Sequence, residues 1–219
     1  MLISQVFSNT TIEIDDSWNL VCVRMSGGVD STLAAYLVSK TITENNLNCK
    51  IINMTVNVME LQNGPTNSNR VEAIKQKITS LVGQDNFVND SIIHNVFYRD
   101  AETEKLITLL TDAIANYSID CFYAGDTLAP TADQIGPLAH SLRAPGHDVP
   151  GEGVLKSFDD YKIPFNSQTK DKTLQMFKDY NLNDLLDLTV TCDVVSGLTS
   201  PCGACYPCLE KSWAEKLVV

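Results

Sequence analysis

Positive charge is scarce in this chain. Its 219 residues carry 16 Lys and Arg against 27 Asp and Glu, for a formal net charge of −11. A protein that grips a nucleic acid through its phosphates needs a basic face. The balance therefore points away from a nucleic-acid partner and toward a small-molecule substrate, although such a charge also simply keeps a protein in solution. Long apolar runs are missing too. No stretch approaches the ~18 residues that would suggest a bilayer span, so no membrane partner is expected. The first residues, "MLISQVFSNTTIEIDD", contain neither a basic segment nor a long apolar core. No secretory signal is expected from them, and the expected compartment is the cytoplasm. Repeats and low-complexity tracts are absent.

The residues that are present alternate between strand and helix signals. "LISQVF" and "TIEI" flank the turn "SNTT" and read as a hairpin. The mostly apolar run 19–25 suits a buried parallel strand, and "STLAAYLVSKTI" after it reads as a helix. Further strands are expected at 50–59, 91–97 and 120–126. Between them, Val71, Ile74, Ile78 and Leu81 form one helical stripe closed by Gly83. A helix over 101–117 would carry Leu106, Leu109, Leu110, Ala113 and Tyr117 on one side. Residues 141–168 read as a Gly- and Pro-rich mobile loop region. A helix over 170–180 and a short strand "LTVT" complete the chain up to its last cysteines. Alternation of this kind predicts an α/β fold, a parallel sheet with helices on both faces, as a single domain over 1–219. Ligands of such sheets bind at the carboxyl ends of strands, near a switch point in strand order.

"SGGVDS" stands at that position, directly after the strand at 19–25. Gly27 and Gly28 let the backbone turn tightly and expose its N–H groups. Ser31 and Thr32 open a helix whose N-terminus carries partial positive charge, so the segment forms a nest for phosphate. It has neither the Gly-Lys-Ser/Thr ending of a Walker loop nor a Gly-x-Gly-x-x-Gly pattern. Asp30 is out of place beside a phosphate, and two roles remove the conflict. Either it caps backbone N–H groups, or it helps hold Mg²⁺ that bridges phosphate oxygens.

Of seven cysteines, Cys22, Cys49 and Cys121 lie in or beside apolar strands and read as small core residues. Cys202, Cys205 and Cys208 form Cys-x-x-Cys-x-x-Cys, and Cys192 precedes them at a strand end. Four thiolates at this spacing suit tetrahedral Zn²⁺ with no open position, a structural site spanning 192–208 within the domain. A redox Cys-x-x-Cys and an iron–sulfur cluster are the rival readings. Disulfides are disfavoured by the expected compartment. Of the histidines, His94 reads as structural, whereas His140 and His147 flank the mobile region.

"SGGVDS" resembles the pyrophosphate loop (PP-loop) of the N-type ATP pyrophosphatases. Together with the C-terminal cysteines and "PFNSQTKDKTLQMF", it resembles the 7-cyano-7-deazaguanine synthase family in particular. The resemblance implies a ligase that uses ATP, Mg²⁺ and Zn²⁺. It implies that 7-carboxy-7-deazaguanine is adenylated and reacts with ammonia to give the amide and then the nitrile. Arg24, Met25, Ser26, Gly27, Gly28, Val29, Asp30, Ser31, Thr32 and Gly125 would then hold the nucleotide. Asp30 and Lys170 would be catalytic, with Lys170 meeting ATP phosphates from the first turn of a helix capped by Thr169. A lysine there opposes the helix dipole, a breach of local rules expected at functional sites. Asp126, Asp133 and Arg143 are the candidate contacts to a guanine-like base, and "GHDVPGEG" is a candidate lid. A homodimer would fit the family. The segment corresponding to the family's aromatic-Gly-Gln-Arg-His block keeps only Arg70 and Glu72 as echoes. An enzyme stopping at the amide, one using another carboxylated base, and a tRNA thiolase are the alternatives.

Overall fold

The computed structural model describes residues 1–58, 64–96, 112–113, 115–142, 160–192 and 201–218. The hairpin is present as β1 (Leu2–Phe7) and β2 (Thr10–Asp15), paired antiparallel in a sheet of their own. Alternation decides its orientation: Phe7, Ile12 and Ile14 are buried while Leu2 and Val6 face outward. The main sheet is built from β3 (Leu20–Arg24), β4 (Lys50–Val58), β5 (Phe87–Val96), β6 (Cys121–Ala124) and β7 (Tyr161–Lys162). Its order is β5-β4-β3-β6-β7 with every pair parallel. The chain first builds outward from β3 to β5 and then returns to the other side of β3. The switch point therefore lies between β3 and β6.

The two faces of the sheet carry separate apolar clusters. Val21, Val23, Ile51 and Tyr123 pack on one side against α1 (Val29–Glu44) and α2 (Gly64–Val82). The same core takes in the hairpin and Leu174, Met176 and Phe177 of α5 (Lys170–Asp179). Cys22, Ile52, Met54 and Phe122 point the other way, toward Ala113 and Ile119. α1 is buried over most of its circumference, as expected for a helix between a sheet and a second layer. Short helices α3 (Ala132–Ile135), α4 (Pro137–Ser141) and α6 (Asn183–Leu186) connect the larger elements, and α7 (Tyr206–Glu215) ends the fold.

Several sequence expectations are corrected. "LTVT" is not a strand. The Leu188 and Thr189 N–H groups bond back to Leu185 and Leu186, and Val190 N–H meets the Gly27 carbonyl at 3.0 Å, so the segment runs to the glycine turn after β3 rather than along a sheet edge. The fifth strand of the sheet is instead β7, inside the region expected to be loop. There Phe122 N–H bonds Asp160 O at 2.8 Å. On α2 the stripe Val71, Ile74, Ile78 continues into partly buried Val82, while Leu81 is exposed. One more residue keeps the stripe over the sheet, because 3.6 residues make a turn. Tyr117 is likewise exposed. Residues 101–111 and 143–159 lie outside the described residues, and with them Leu106, Leu109, Leu110, Arg143, His147 and the "GHDVPGEG" segment. The side chain of His94 is outside them too.

Candidate functional site

The loop between β3 and α1 crosses the carboxyl edge of the sheet at the switch point. Gly27 sits at φ +77°, a left-handed conformation that side chains resist, and the stem of Arg70 lies across it, 3.0 Å from where a Cβ would be. Gly28 is the N-cap of α1, which starts at Val29, two residues earlier than expected. Ser26 braces the turn: its hydroxyl accepts the Gly28 N–H at 3.3 Å and lies 3.1 Å from Ser31 Oγ. Met25, Val29 and Thr32 are fully buried, so they can offer a ligand only backbone groups. Met25 N–H in fact bonds Met54 O and extends the sheet pairing.

Gly125 closes the site from β6. A Cβ there would stand 2.4 Å from the backbone carbonyl of Asp30. No side chain fits, so the residue's first requirement is the approach of α1's first turn to the end of β6. On the opposite face of the sheet, Arg24 pairs with Asp126. The Tyr161 hydroxyl near them is buried without a hydrogen-bond partner among the described residues. Burial pushes that phenol up, with Arg24 and Asp126 acting on it in opposite senses. Asp133 is exposed in the first turn of α3. The cap there is made by Gln134, whose Oε1 accepts the Thr131 N–H at 2.8 Å.

Asp30 and Lys170 are brought together as an ion pair. Lys170 Nζ lies 2.6 Å from Asp30 Oδ2 and 2.8 Å from Glu210 Oε2. The lysine is 5% exposed and Glu210 6%. Thr173 donates to the other oxygen of Asp30 at 2.7 Å. Burial by itself would lower the lysine's pKa, but the two carboxylates outweigh it and the net shift is upward. Lys170 opens α5 as expected, yet two of its three donors are taken by carboxylates. Thr169 occupies the N-cap position with extended backbone, but its hydroxyl donates to Asp171 rather than capping an N–H.

The four C-terminal cysteines converge beside this cluster. All four sulfurs lie within 4.8 Å of one another. Cys202 and Cys208 are 3.9 Å apart and Cys205 and Cys192 are 3.8 Å apart. A single ion with bonds of ~2.3 Å to four thiolates requires sulfurs about 3.8 Å apart. The set therefore fits one tetrahedral ion, whereas a four-iron cube would put each thiolate on a different corner and spread them further. Backbone N–H groups of Ala204 and Cys205 hold the Cys202 thiol down to about 6, leaving it a thiolate at neutral pH. Burial pushes the Cys208 thiol up, and a bound cation would overturn that. Cys22 is shifted upward by burial, and Cys49 and Cys121 are each pushed up to about 12. They are inert core residues. The cysteine centre is not remote from the loop. Cys208 Sγ donates to Thr191 O at 3.3 Å, and Thr191 Oγ1 accepts the Val29 N–H at 3.4 Å.

Sequence reasoning missed Glu210, Thr173, Thr191 and Tyr161. The signals were small: Glu210 follows Cys208 by two residues, and Thr191 immediately precedes Cys192.

No protein-family model matches the chain, and no curated protein matches it. Among solved structures, it is similar to the U34-tRNA thiolase NcsA from Methanococcus maripaludis, determined with its 4Fe-4S cluster. That superposition has a TM-score of 0.45 at 15% identity and covers 90% of this chain. The chain spans 64% of the thiolase's length. No helix among the described residues is long and apolar enough to cross a membrane.

Proposed function

We propose that the protein is a PP-loop enzyme that cleaves ATP between its α and β phosphates to activate a carboxylate. The observation that carries this reading is the glycine turn at the switch point, tied through Val190 and Thr191 to the four-cysteine cluster. The turn at Gly27–Gly28 and the N-terminus of α1 would hold the departing pyrophosphate. The Ser26, Gly28 and Val29 N–H groups would exchange their long bonds to Ser31, Ser26 and Thr191 for phosphate oxygens, and Mg²⁺ would bridge those oxygens. Zn²⁺ is the ion we assign to Cys192, Cys202, Cys205 and Cys208, because the sulfur spacing suits one tetrahedral ion without an open position. Its role is to dock α7 against the loop.

The substrate we assign is 7-carboxy-7-deazaguanine, on the resemblance of the loop, the cysteines and the Thr169–Lys170 segment to the 7-cyano-7-deazaguanine synthases. Its carboxylate oxygen attacks the α-phosphorus of ATP and pyrophosphate leaves. Ammonia then displaces AMP and the amide forms. A second ATP activates the amide oxygen, and loss of AMP and protons leaves the nitrile. A carboxylate resists attack because oxide is a poor leaving group, and adenylation replaces it with a good one. Asp126 and the Tyr161 hydroxyl lie on the face opposite α1; the carboxylate would accept from the amino and ring N–H groups of the base, and the phenol would donate to its ring carbonyl. Asp133 and Arg143 remain candidate contacts. The enzyme supplies positioning and charge stabilisation rather than a covalent nucleophile.

The test is pyrophosphate release from Mg·ATP with 7-carboxy-7-deazaguanine and ammonium, products followed by mass, beside Ser26→Ala and Asp30→Ala. Substrate-dependent pyrophosphate and a nitrile, both lost in the variants, are expected. An amide as final product would revise the last step alone. Turnover that requires tRNA would replace this reading with a thiolase.

A further inference from the structure

Arg70 reaches the glycine turn from α2, on the side of the sheet that also carries α1. It directly precedes Val71, which α2 buries in the core, and is itself half-buried at the flank of that contact. Its side chain runs toward the loop. Measured from where a Cβ on Gly27 would be, the arginine's Cβ lies at 3.9 Å, its Cγ at 3.5 Å and its Cδ at 3.0 Å. Nε is bonded to that nearest carbon, so the guanidinium begins at the turn. Glycine at 27 therefore meets two demands, a φ of +77° and the room that the arginine stem occupies.

A pyrophosphate held at the turn needs a cation. Backbone N–H groups carry only partial charges, whereas a departing pyrophosphate carries full ones. Lys170, the cation expected from the sequence, is 5% exposed and held by Asp30 at 2.6 Å. The other oxygen of Asp30 accepts from Thr173 at 2.7 Å. That pair is closed on itself. Arg24 is paired with Asp126 on the opposite face of the sheet. Arg70 is placed differently, with its stem across the turn. Burial lowers its pKa, but a guanidinium is too strong a base to lose its proton. Having given up part of its water, it gains from an anion, and its planar fork matches two phosphate oxygens at once.

We propose that Arg70 is a phosphate-binding residue of the glycine turn, taking the β- and γ-phosphates of ATP and the pyrophosphate formed from them. In that role it stands in place of Lys170. The inference rests on the reading of the turn as a pyrophosphate nest.

It is tested by calorimetry on the full-length protein, with Mg·ATP, Mg·pyrophosphate and AMP as separate ligands. Wild type is compared with Arg70→Met, which keeps an unbranched stem over Gly27, and with Arg70→Lys. Circular dichroism checks the fold of each. Arg70→Met should bind Mg·pyrophosphate and Mg·ATP at least about tenfold more weakly, the loss expected for a hydrogen bond to a charged group. AMP lacks the contacted phosphates and should bind as it does to the wild type. Arg70→Lys should recover only part of the loss, since an ammonium keeps the charge but not the fork. Unchanged pyrophosphate affinity in folded Arg70→Met would overturn the proposal. So would an equal loss for AMP, which marks a stem that only shapes the turn. If Arg70→Met does not fold, Arg70→Lys decides: its pyrophosphate affinity should fall while AMP affinity holds, and wild-type affinity for both would overturn the proposal. A wild type that binds neither Mg·ATP nor Mg·pyrophosphate would overturn the reading of the turn itself, a distinct outcome.

Discussion

The glycine loop and the ion cluster beneath it lie within a few hydrogen bonds of each other, yet they are built by different means. The loop takes consecutive residues, Ser26 to Thr32, and its shape follows from local chemistry: a left-handed Gly27, a helix start at Val29 and a serine brace. The cluster takes Asp30, Lys170, Thr173 and Glu210 from three helices far apart in sequence. A local turn tolerates changes elsewhere in the chain. A buried cluster fails when any one member is lost, because the remaining charges stay in a poor solvent for ions.

The comparison can be broken most severely from the cluster's side. Metal removal by a chelator should release Cys205 and Cys208 together and undock α7. A metal bound only by the folded state contributes folding energy outright. The loss of unfolding free energy in urea titrations should exceed that of any single substitution below. Next, Lys170→Ala leaves Asp30 and Glu210 buried without their cation and should cost about 3–5 kcal/mol. A cost under ~1 kcal/mol would show that water replaces the lysine without penalty.

Gly125→Ala probes where the two regions meet. Its Cβ would collide with the Asp30 backbone, not with a flexible side chain. Overpacking of this kind costs about 1–3 kcal/mol, and ATP binding should weaken with it as α1's first turn shifts. Thr191→Val removes a long 3.4 Å bond to Val29 N–H and should cost no more than about 1 kcal/mol. A larger effect on nucleotide affinity than on stability would assign the hydroxyl a part in loop geometry.

The smallest expected effect is one of pH. Lys170 has a folded pKa above its unfolded value near 10.4. Stabilisation from that shift is therefore fully present below the unfolded pKa and is lost only as pH rises through the higher folded one. The stability difference between wild type and Lys170→Met should stay level from pH 7 to about pH 10. A difference that shrinks across that window would mean the ammonium is not held as the geometry indicates.

How much was legible varied with the range of the interactions involved. The hairpin, β3, α1 and β4 were readable because alternation and helical stripes are local signals. β7 was not, since two residues of Tyr161–Lys162 pair with β6 only because the tertiary fold brings them there. "LTVT" misled for the complementary reason: its β-branched residues favour a strand, but no free sheet edge meets them, and Val190 bonds the loop instead. The cysteines were legible as a set, but not their contact with Thr191, which links them to the loop.

By itself, the sequence determined the parallel α/β layering, the turn at Gly27–Gly28 and the grouping of four cysteines. Each rests on residues close in the chain or on a periodic apolar pattern. Tertiary structure alone decided that Asp30, Lys170 and Glu210 share one buried ammonium and that Gly125 meets the backbone of Asp30. It also decided that the cysteine centre abuts the loop. Those outcomes depend on how three helix N-termini pack at one end of a sheet, and packing between distant segments leaves no periodic trace along the chain.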